Sequence, residues 1–190
     1  AGFYGDRGSE ALDEASAPGS GFLAEVCREW EAATGPAEAA GIRVVPLRTS
    51  LVLSPAGGAL ARMMLPFRLG VGGPFGGGRQ YVRWIGIDDL LYLILHAIAS
   101  EALSGPLNAA TPKPVTGREF AGQVGRILRR PSAFSIPAWA LELLFGEMAR
   151  ETILSSARLV PARALESGYA FRYPDLEGAL RHLFGRMMPS

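Results

Sequence analysis

Ile42-Arg43-Val44-Val45-Pro46-Leu47-Arg48 is the stretch on which the fold turns. Its β-branched richness predicts a buried strand, and Leu51-Val52-Leu53 extends or follows it. Upstream, Phe22, Leu23, Val26, Cys27, Trp30 and Ala33 recur at helical spacing from Gly21 until Gly35-Pro36 interrupts. Earlier still, Ala1-Gly2-Phe3-Tyr4-Gly5 reads as the tail of a strand entering a loop, and residues 5–20 have loop composition. Strand, helix, strand is the rhythm of an α/β unit.

Downstream, residues 57–69 predict a Met- and Leu-rich helix whose last turn is limited by Pro66. A glycine loop covers 70–78, and a short strand is expected over 80–85. Asp88 is a suitable N-cap for a helix over 89–103, with Leu90, Leu91, Ile94, Leu95 and Ile98 on one face. Residues 106–109 allow one more strand. Beyond Pro114 the pattern is helical: Thr116-Gly117-Arg118-Glu119 is a capping box, residues 136–149 and 157–166 predict two further helices, and Pro174 opens a last one. An α/β part over 1–113 with a mainly helical extension over 114–190 is the expected organisation.

The composition fits. Among 190 residues, 48% are hydrophobic and 19% charged, which supplies a core and excludes intrinsic disorder. A net charge of +1 gives no pull toward nucleic acid or an anionic membrane. Lys113 is the one lysine among 19 basic side chains, so lysine chemistry elsewhere in these residues is excluded. Cys27 is the single cysteine, which rules out an intrachain disulfide and a cysteine-based zinc cluster. His96 and His182 lack ligand-like spacing and are read as structural, so no metal is expected. The apolar run over 90–99 is too short to span a bilayer, and no apolar leader opens the chain, so a reducing, cytoplasmic setting is the expectation.

Gly70-Val71-Gly72-Gly73-Pro74-Phe75-Gly76 matches a G-x-x-G-x-x-G pattern. A dinucleotide loop needs a strand before it and a helix N-terminus after it, so that amides face the pyrophosphate. Here a helix precedes and a strand follows, and Pro74 removes an amide, which favours a connecting loop. Trp30, Trp84 and Trp139 read as core aromatics. Asp88-Asp89 is explained by a helix start. Arg79 and Arg83 flank the glycine loop and an aromatic-rich strand, where an anion would be held bidentately, although surface arginines are common in so Arg-rich a chain. The residues by themselves thus give an α/β domain with a helical extension and leave its function open.

Four ordered blocks carry a resemblance: Ala1-Gly2-Phe3-Tyr4-Gly5-Asp6, Phe22-Leu23-Ala24-Glu25-Val26-Cys27-Arg28-Glu29-Trp30-Glu31, Arg48-Thr49-Ser50-Leu51-Val52-Leu53-Ser54 and Gly78-Arg79-Gln80-Tyr81-Val82-Arg83-Trp84-Ile85. Together they resemble the epimerase-like branch of the extended short-chain dehydrogenase/reductases. Leu159-Val160-Pro161-Ala162-Arg163-Ala164-Leu165-Glu166-Ser167-Gly168-Tyr169-Ala170-Phe171 resembles the small domain of unknown function that closes those proteins. The likeness implies the C-terminal part of an NAD(P)-binding Rossmann-like fold. The glycine-rich fingerprint that binds most of the NAD or NADP, and the family's active-site serine, are then expected ahead of Ala1.

In the wider superfamily a Tyr-x-x-x-Lys pair handles the proton, the ammonium lowering the phenol pKa and binding the nicotinamide ribose. The resemblance places Cys27 and Glu31 at those two positions, still one helical turn apart on one face. A thiol can serve as a base, but an adjacent carboxylate raises its pKa instead of lowering it. Leu51 stands where the family commonly has a substrate-facing asparagine, and Gly86 where it often has histidine. On this likeness Tyr4, Cys27 and Glu31 are the catalytic candidates, and Arg48, Thr49 and Leu51 the cofactor-binding ones. Met64, Arg79, Gln80 and Trp84 are the substrate-binding candidates, for a nucleotide-sugar or a similar small carbinol or carbonyl compound. A homodimer is the implied assembly. A cofactor-binding sensor or scaffold without catalysis is the alternative.

Overall fold

The computed structural model describes residues 2–139, 143 and 149–185. A 3-10 turn over Gly2–Tyr4 leads through β1 (Ala11–Leu12) into α1 (Phe22–Ala32) and the short α2 (Gly35–Ala39). β2 (Leu47–Thr49) and β3 (Leu51–Leu53) follow, then α3 (Gly58–Arg68), β4 (Tyr81–Val82), β5 (Trp84–Gly86) and α4 (Ile87–Ala99). The chain continues through β6 (Leu107–Ala109), β7 (Val115–Thr116), α5 (Gly117–Leu128), a π-helical turn (Ala149–Leu154), β8 (Arg158–Leu159), α6 (Ala162–Glu166) and α7 (Leu176–Leu183).

Three strand pairs are parallel. β1 lies beside β8, β2 beside β6 and β3 beside β5, while β4 and β7 run antiparallel. β2 and β3 are one run of chain that changes neighbour at Ser50. Ser50 N–H donates to the Ala109 carbonyl at 3.1 Å, whereas Leu51 N–H donates to Arg83 at 3.0 Å. Thr111 N–H, bonded to the Trp84 carbonyl at 2.8 Å, ties the two neighbours together.

Within β3 alternate side chains feed two cores, as the period-two geometry of a strand requires, and the change of neighbour at Ser50 puts Leu47 on the side of Val52. Leu53 and Trp84 join Leu60, Met64 and Phe67 of α3 with Phe120, Val124 and Ile127 of α5 and Leu176 and Leu180 of α7. Ile85 joins Leu93, Leu107, Ala164 and Tyr169 on the other side, with Val52 and Leu47 packed against them. A third, smaller cluster holds Phe3, Tyr4, Leu12, Ala110, Ala157 and Leu159 under α1.

The α5 capping box forms as the sequence requires. Thr116 Oγ1 accepts from Glu119 N–H at 3.3 Å, and Glu119 Oε2 accepts from Thr116 N–H at 2.7 Å. Other expectations need correction. Residues 42–46 fall short of a regular strand: the Val44 and Pro46 carbonyls accept from Gly105 and Leu107 N–H at 2.8 and 2.9 Å, but Pro46 has no N–H to return, and the strand proper is Leu47–Thr49. α3 needs no such correction: it runs over Gly58–Arg68 with Pro66 in its last turn, in line with the helix expected over 57–69. α4 starts at Ile87 with Gly86 at its N-cap, so Asp88 falls inside the first turn, where its Oδ2 lies 2.8 Å from His182 Nε2 instead of capping the helix. Residues 157–166 split into β8 and α6 around Pro161, and α7 is capped by Asp175, one residue after Pro174. The helix expected over 136–149 lies mostly outside the described residues. Trp30 is 72% exposed rather than core, as are Phe22 at 69% and Trp139 at 69%.

Candidate functional site

Arg48, at the centre of β2, is buried and serves as a hub. Its Nε and Nη2 donate to Glu31 Oε1 and Oε2 at 2.8 and 2.9 Å, a fork-to-fork pair between β2 and the last turn of α1. Nη1 donates to the Tyr4 hydroxyl at 2.8 Å and to the Glu14 carbonyl at 3.2 Å. The guanidinium carbon lies 3.4 Å from the centroid of the Phe3 ring, a cation–π contact. Burial alone would pull this guanidinium down, but the bonds to Glu31 and Tyr4 hold it above its ordinary value.

Tyr4 is fully buried. Its one proton is shared between Asn108 Oδ1 at 2.8 Å and the Asp13 carbonyl at 2.9 Å. Burial pushes the phenol above its ordinary value, against the partial opposition of Arg48. Asn108 is held in turn, its Nδ2 donating to Val160 O at 3.0 Å and its backbone N–H to Glu14 Oε1 at 2.9 Å. Glu31, Arg48, Tyr4, Asn108 and Glu14 therefore form one continuous polar chain. The spacing of Cys27 and Glu31 pointed to the helix face, but Asn108 and Glu14 carry no short-range signal; their partners lie 34 or more residues away.

The structure brings Tyr4, Glu31 and Arg48 into contact and packs the half-buried Cys27 against the Phe3 and Tyr4 cluster. Both oxygens of Glu31 are engaged by Arg48, so this carboxylate is not the bare neighbour of the thiol that the spacing implied. Thr49 and Leu51 flank the change of neighbour at Ser50. The Ser50 hydroxyl is buried there and has no hydrogen-bond partner among the described residues. Met64 and Trp84 are buried in the core beneath α3, and Trp84 Nε1 is likewise unpartnered. Arg79 is exposed, while Gln80 Nε2 donates to the Phe75 carbonyl at 2.9 Å and so closes the glycine loop. These last four do not converge with the Arg48 hub.

Arg83 behaves differently from Arg79. Burial lowers its guanidinium below the ordinary value, with Asp6 offsetting part of the effect, and its Nη2 donates to Ser155 Oγ at 2.7 Å. The histidines take structural partners: His96 Nε2 lies 2.9 Å from Ser167 Oγ, and His182 Nε2 lies 2.8 Å from Asp88 Oδ2. No helix among the described residues is long and apolar enough to cross a membrane.

Known proteins are similar to this chain over most of its length. A family model described as a domain of unknown function, DUF1731, matches residues 136–183. An epimerase family protein of Mycobacterium bovis is 42% identical over 179 residues, covering 94% of this chain and 60% of the relative. The crystal structure of human epimerase family protein SDR39U1 (isoform 2) with NADPH superposes with a TM-score of 0.88 at 32% identity, over 97% of this chain and 63% of that one. A nucleoside-diphosphate sugar epimerase from Corynebacterium glutamicum gives 0.77 at 38% identity, over 97% of this chain and 35% of that one. This chain thus spans about 60% of the length of the curated relatives it matches, and its mixed α/β, Rossmann-like architecture is theirs.

Proposed function

We propose that this chain, which belongs to the epimerase family of extended short-chain dehydrogenase/reductases, forms the substrate-side part of an NAD(P)-dependent epimerase or reductase. The observation that carries the reading is the meeting of α1 and β2: Glu31 grips Arg48 beside Cys27, at the strand that changes neighbour at Ser50. Crevices where strands part company at their carboxyl ends are where open α/β sheets take ligands. The buried, unpartnered Ser50 hydroxyl is a polar atom that a bound group would satisfy there. Thr49 and Leu51 stand at that edge, with Arg48 bracing it from beneath, and this supports a nicotinamide being held there. When bound, it would supply the hydride acceptor and donor.

In this reading the cofactor is NADP or NAD, held mainly by a glycine-rich half outside these residues. The chain's own residues orient and protonate. Cys27 Sγ, one turn before Glu31 on α1, gives its proton to a carbonyl oxygen or, as thiolate, takes one from a carbinol oxygen. Arg48 keeps Glu31 and Tyr4 fixed, so that α1 and the Gly2–Tyr4 turn move as one piece. Substrate selection falls to the segment that follows, including Met64, Arg79, Gln80 and Trp84, for a nucleotide-sugar or a similar small compound. A homodimer in the cytoplasm completes the proposal. The sugar-nucleotide name of the Corynebacterium structure and the NADPH in the human one support the class of ligand.

A second reading, an NADP(H)-binding sensor or scaffold without catalysis, is favoured by one observation. Tyr4, the only tyrosine in the hub, is sealed at 0% exposure and cannot touch a substrate as it stands. The test is made with the full-length protein. NADPH at a hundredfold excess over its Kd should stabilise it by about 2.7 kcal/mol, read as a raised Tm. A panel of nucleotide-sugars should then turn over in wild type and not in Cys27→Ala. Binding without turnover above the Cys27→Ala control would leave the sensor; no rise in Tm with either NADPH or NADH would remove both readings.

A further inference from the structure

We infer that residues 151–156, within the matched domain of unknown function, act as a strap that positions α1 and with it Cys27 and Glu31. The inference stands apart from the proposed chemistry, because it concerns which contacts hold the helix. α1 opens without a cap of its own: Gly21 occupies the N-cap at a φ of 104° and offers no side chain. The first-turn N–H groups of Phe22 and Leu23 are taken instead by Glu151, whose Oε1 and Oε2 accept them at 3.1 and 3.0 Å. Those partners are 129 and 128 residues apart in sequence. A Cβ on Gly21 would stand 3.0 Å from Glu151 Oε1, so the glycine keeps the place clear for the carboxylate.

The same short segment grips two further pieces. Ser155 Oγ accepts from Arg83 at 2.7 Å and donates to the Glu151 carbonyl at 2.8 Å. Ser156 Oγ accepts from Tyr81 N–H at 3.0 Å and donates to the Gly8 carbonyl, and Ser156 N–H donates to Asp6 Oδ1 at 3.2 Å. Its carbonyl accepts from Arg7 N–H at 2.8 Å. Six residues thus join the helix that carries Cys27 and Glu31, the loop that leaves Tyr4, and the junction of β4 and β5. Two carboxylate oxygens on two successive amides fix the direction of α1, not merely its charge environment. Glu151 is therefore a positioning residue: it touches no reacting group and acts through the helix.

The experiment compares full-length wild type, Glu151→Ala and Glu151→Gln by hydrogen exchange and by the alkylation rate of Cys27 with iodoacetamide. Glu151→Ala should speed exchange in peptides covering residues 20–33 at least tenfold and Cys27 alkylation at least threefold, while α4 and α5 exchange as in wild type. Glu151→Gln keeps one acceptor oxygen and should fall between, at least threefold in exchange. Unchanged exchange over 20–33, or equal acceleration throughout the protein, would overturn the strap. Should Glu151→Ala not fold, the same two outcomes in Glu151→Gln decide it.

Discussion

Arg48 and Glu31 meet fork to fork at 2.8 and 2.9 Å, and the two side chains retain 7% and 24% of their exposure. Removing one partner of such a pair leaves the other charged and poorly solvated. Glu31→Gln is expected to destabilise by about 2–4 kcal/mol, the lower end reflecting solvent at Glu31. Adding Arg48→Met should cost less than the sum of the two single changes, because the charge left behind is then gone. Urea unfolding of the four proteins measures the coupling.

Tyr4 and Tyr169 should make stability fall on the alkaline side. Both phenols are raised, chiefly by burial; at Tyr169 the Asp89 carboxylate, 3.3 Å away, adds to it. Below the ordinary phenol value of about 10, folded and unfolded chains alike keep these protons. Above it the unfolded chain releases protons that the fold retains, so stability falls as pH climbs, by about 1.4 kcal/mol per pH unit for each tyrosine. Unfolding free energies measured across that range should fall less steeply in Tyr4→Phe and in Tyr169→Phe than in wild type. An unchanged slope in both would contradict the assignment.

Gly19 and Gly122 should respond to alanine with opposite signs. A Cβ at Gly19 would lie 2.2 Å from the Tyr4 carbonyl oxygen and 2.7 Å from Gly5 N, both backbone atoms. Gly19→Ala therefore pushes the loop off the Gly2–Tyr4 turn, at about 1–3 kcal/mol. At Gly122, inside α5, a Cβ meets nothing within 4 Å, and alanine should stabilise by about 0.5–1 kcal/mol through helix propensity. Thermal melts of the two variants on either side of wild type are the expected result.

Asp89 holds the C-terminal segment onto α4. Its Oδ1 and Oδ2 accept from the N–H groups of Arg172 and Tyr173 at 2.8 and 3.0 Å, and its carbonyl accepts from the Tyr169 hydroxyl at 2.8 Å. Asp89→Ala leaves two half-buried amides without their charged acceptor and should cost about 1–3 kcal/mol. Thr116→Ala, which removes only a surface cap, should cost about 1 kcal/mol and serves as the comparison. Hydrogen exchange over residues 169–175 should rise sharply in the first variant and not in the second.

Local signals were readable and distant ones were not. The apolar spacing of residues 21–34 located α1, and the capping box started α5 at Gly117, because both are set within one or two turns. The same spacing misassigned Trp30, since a helix face can be apolar without being covered. Asp89 read as an ordinary first-turn acid because its partners lie 83 and 84 residues downstream. Family likeness brought Tyr4, Cys27, Glu31 and Arg48 onto one short list. What it lacked was the link: that Glu31 grips Arg48, and that Asn108 and Glu14 extend the chain beyond Tyr4. Those contacts are made by topology, which no spacing along the sequence encodes.

β2 and β6 stand in register, Leu47 opposite Leu107 and Thr49 opposite Ala109, yet α3, the glycine loop and α4 all intervene between them in the chain. That whole stretch is an excursion which leaves one ladder and returns to it. A change of length confined to the exposed loops of that stretch can therefore leave the ladder in register.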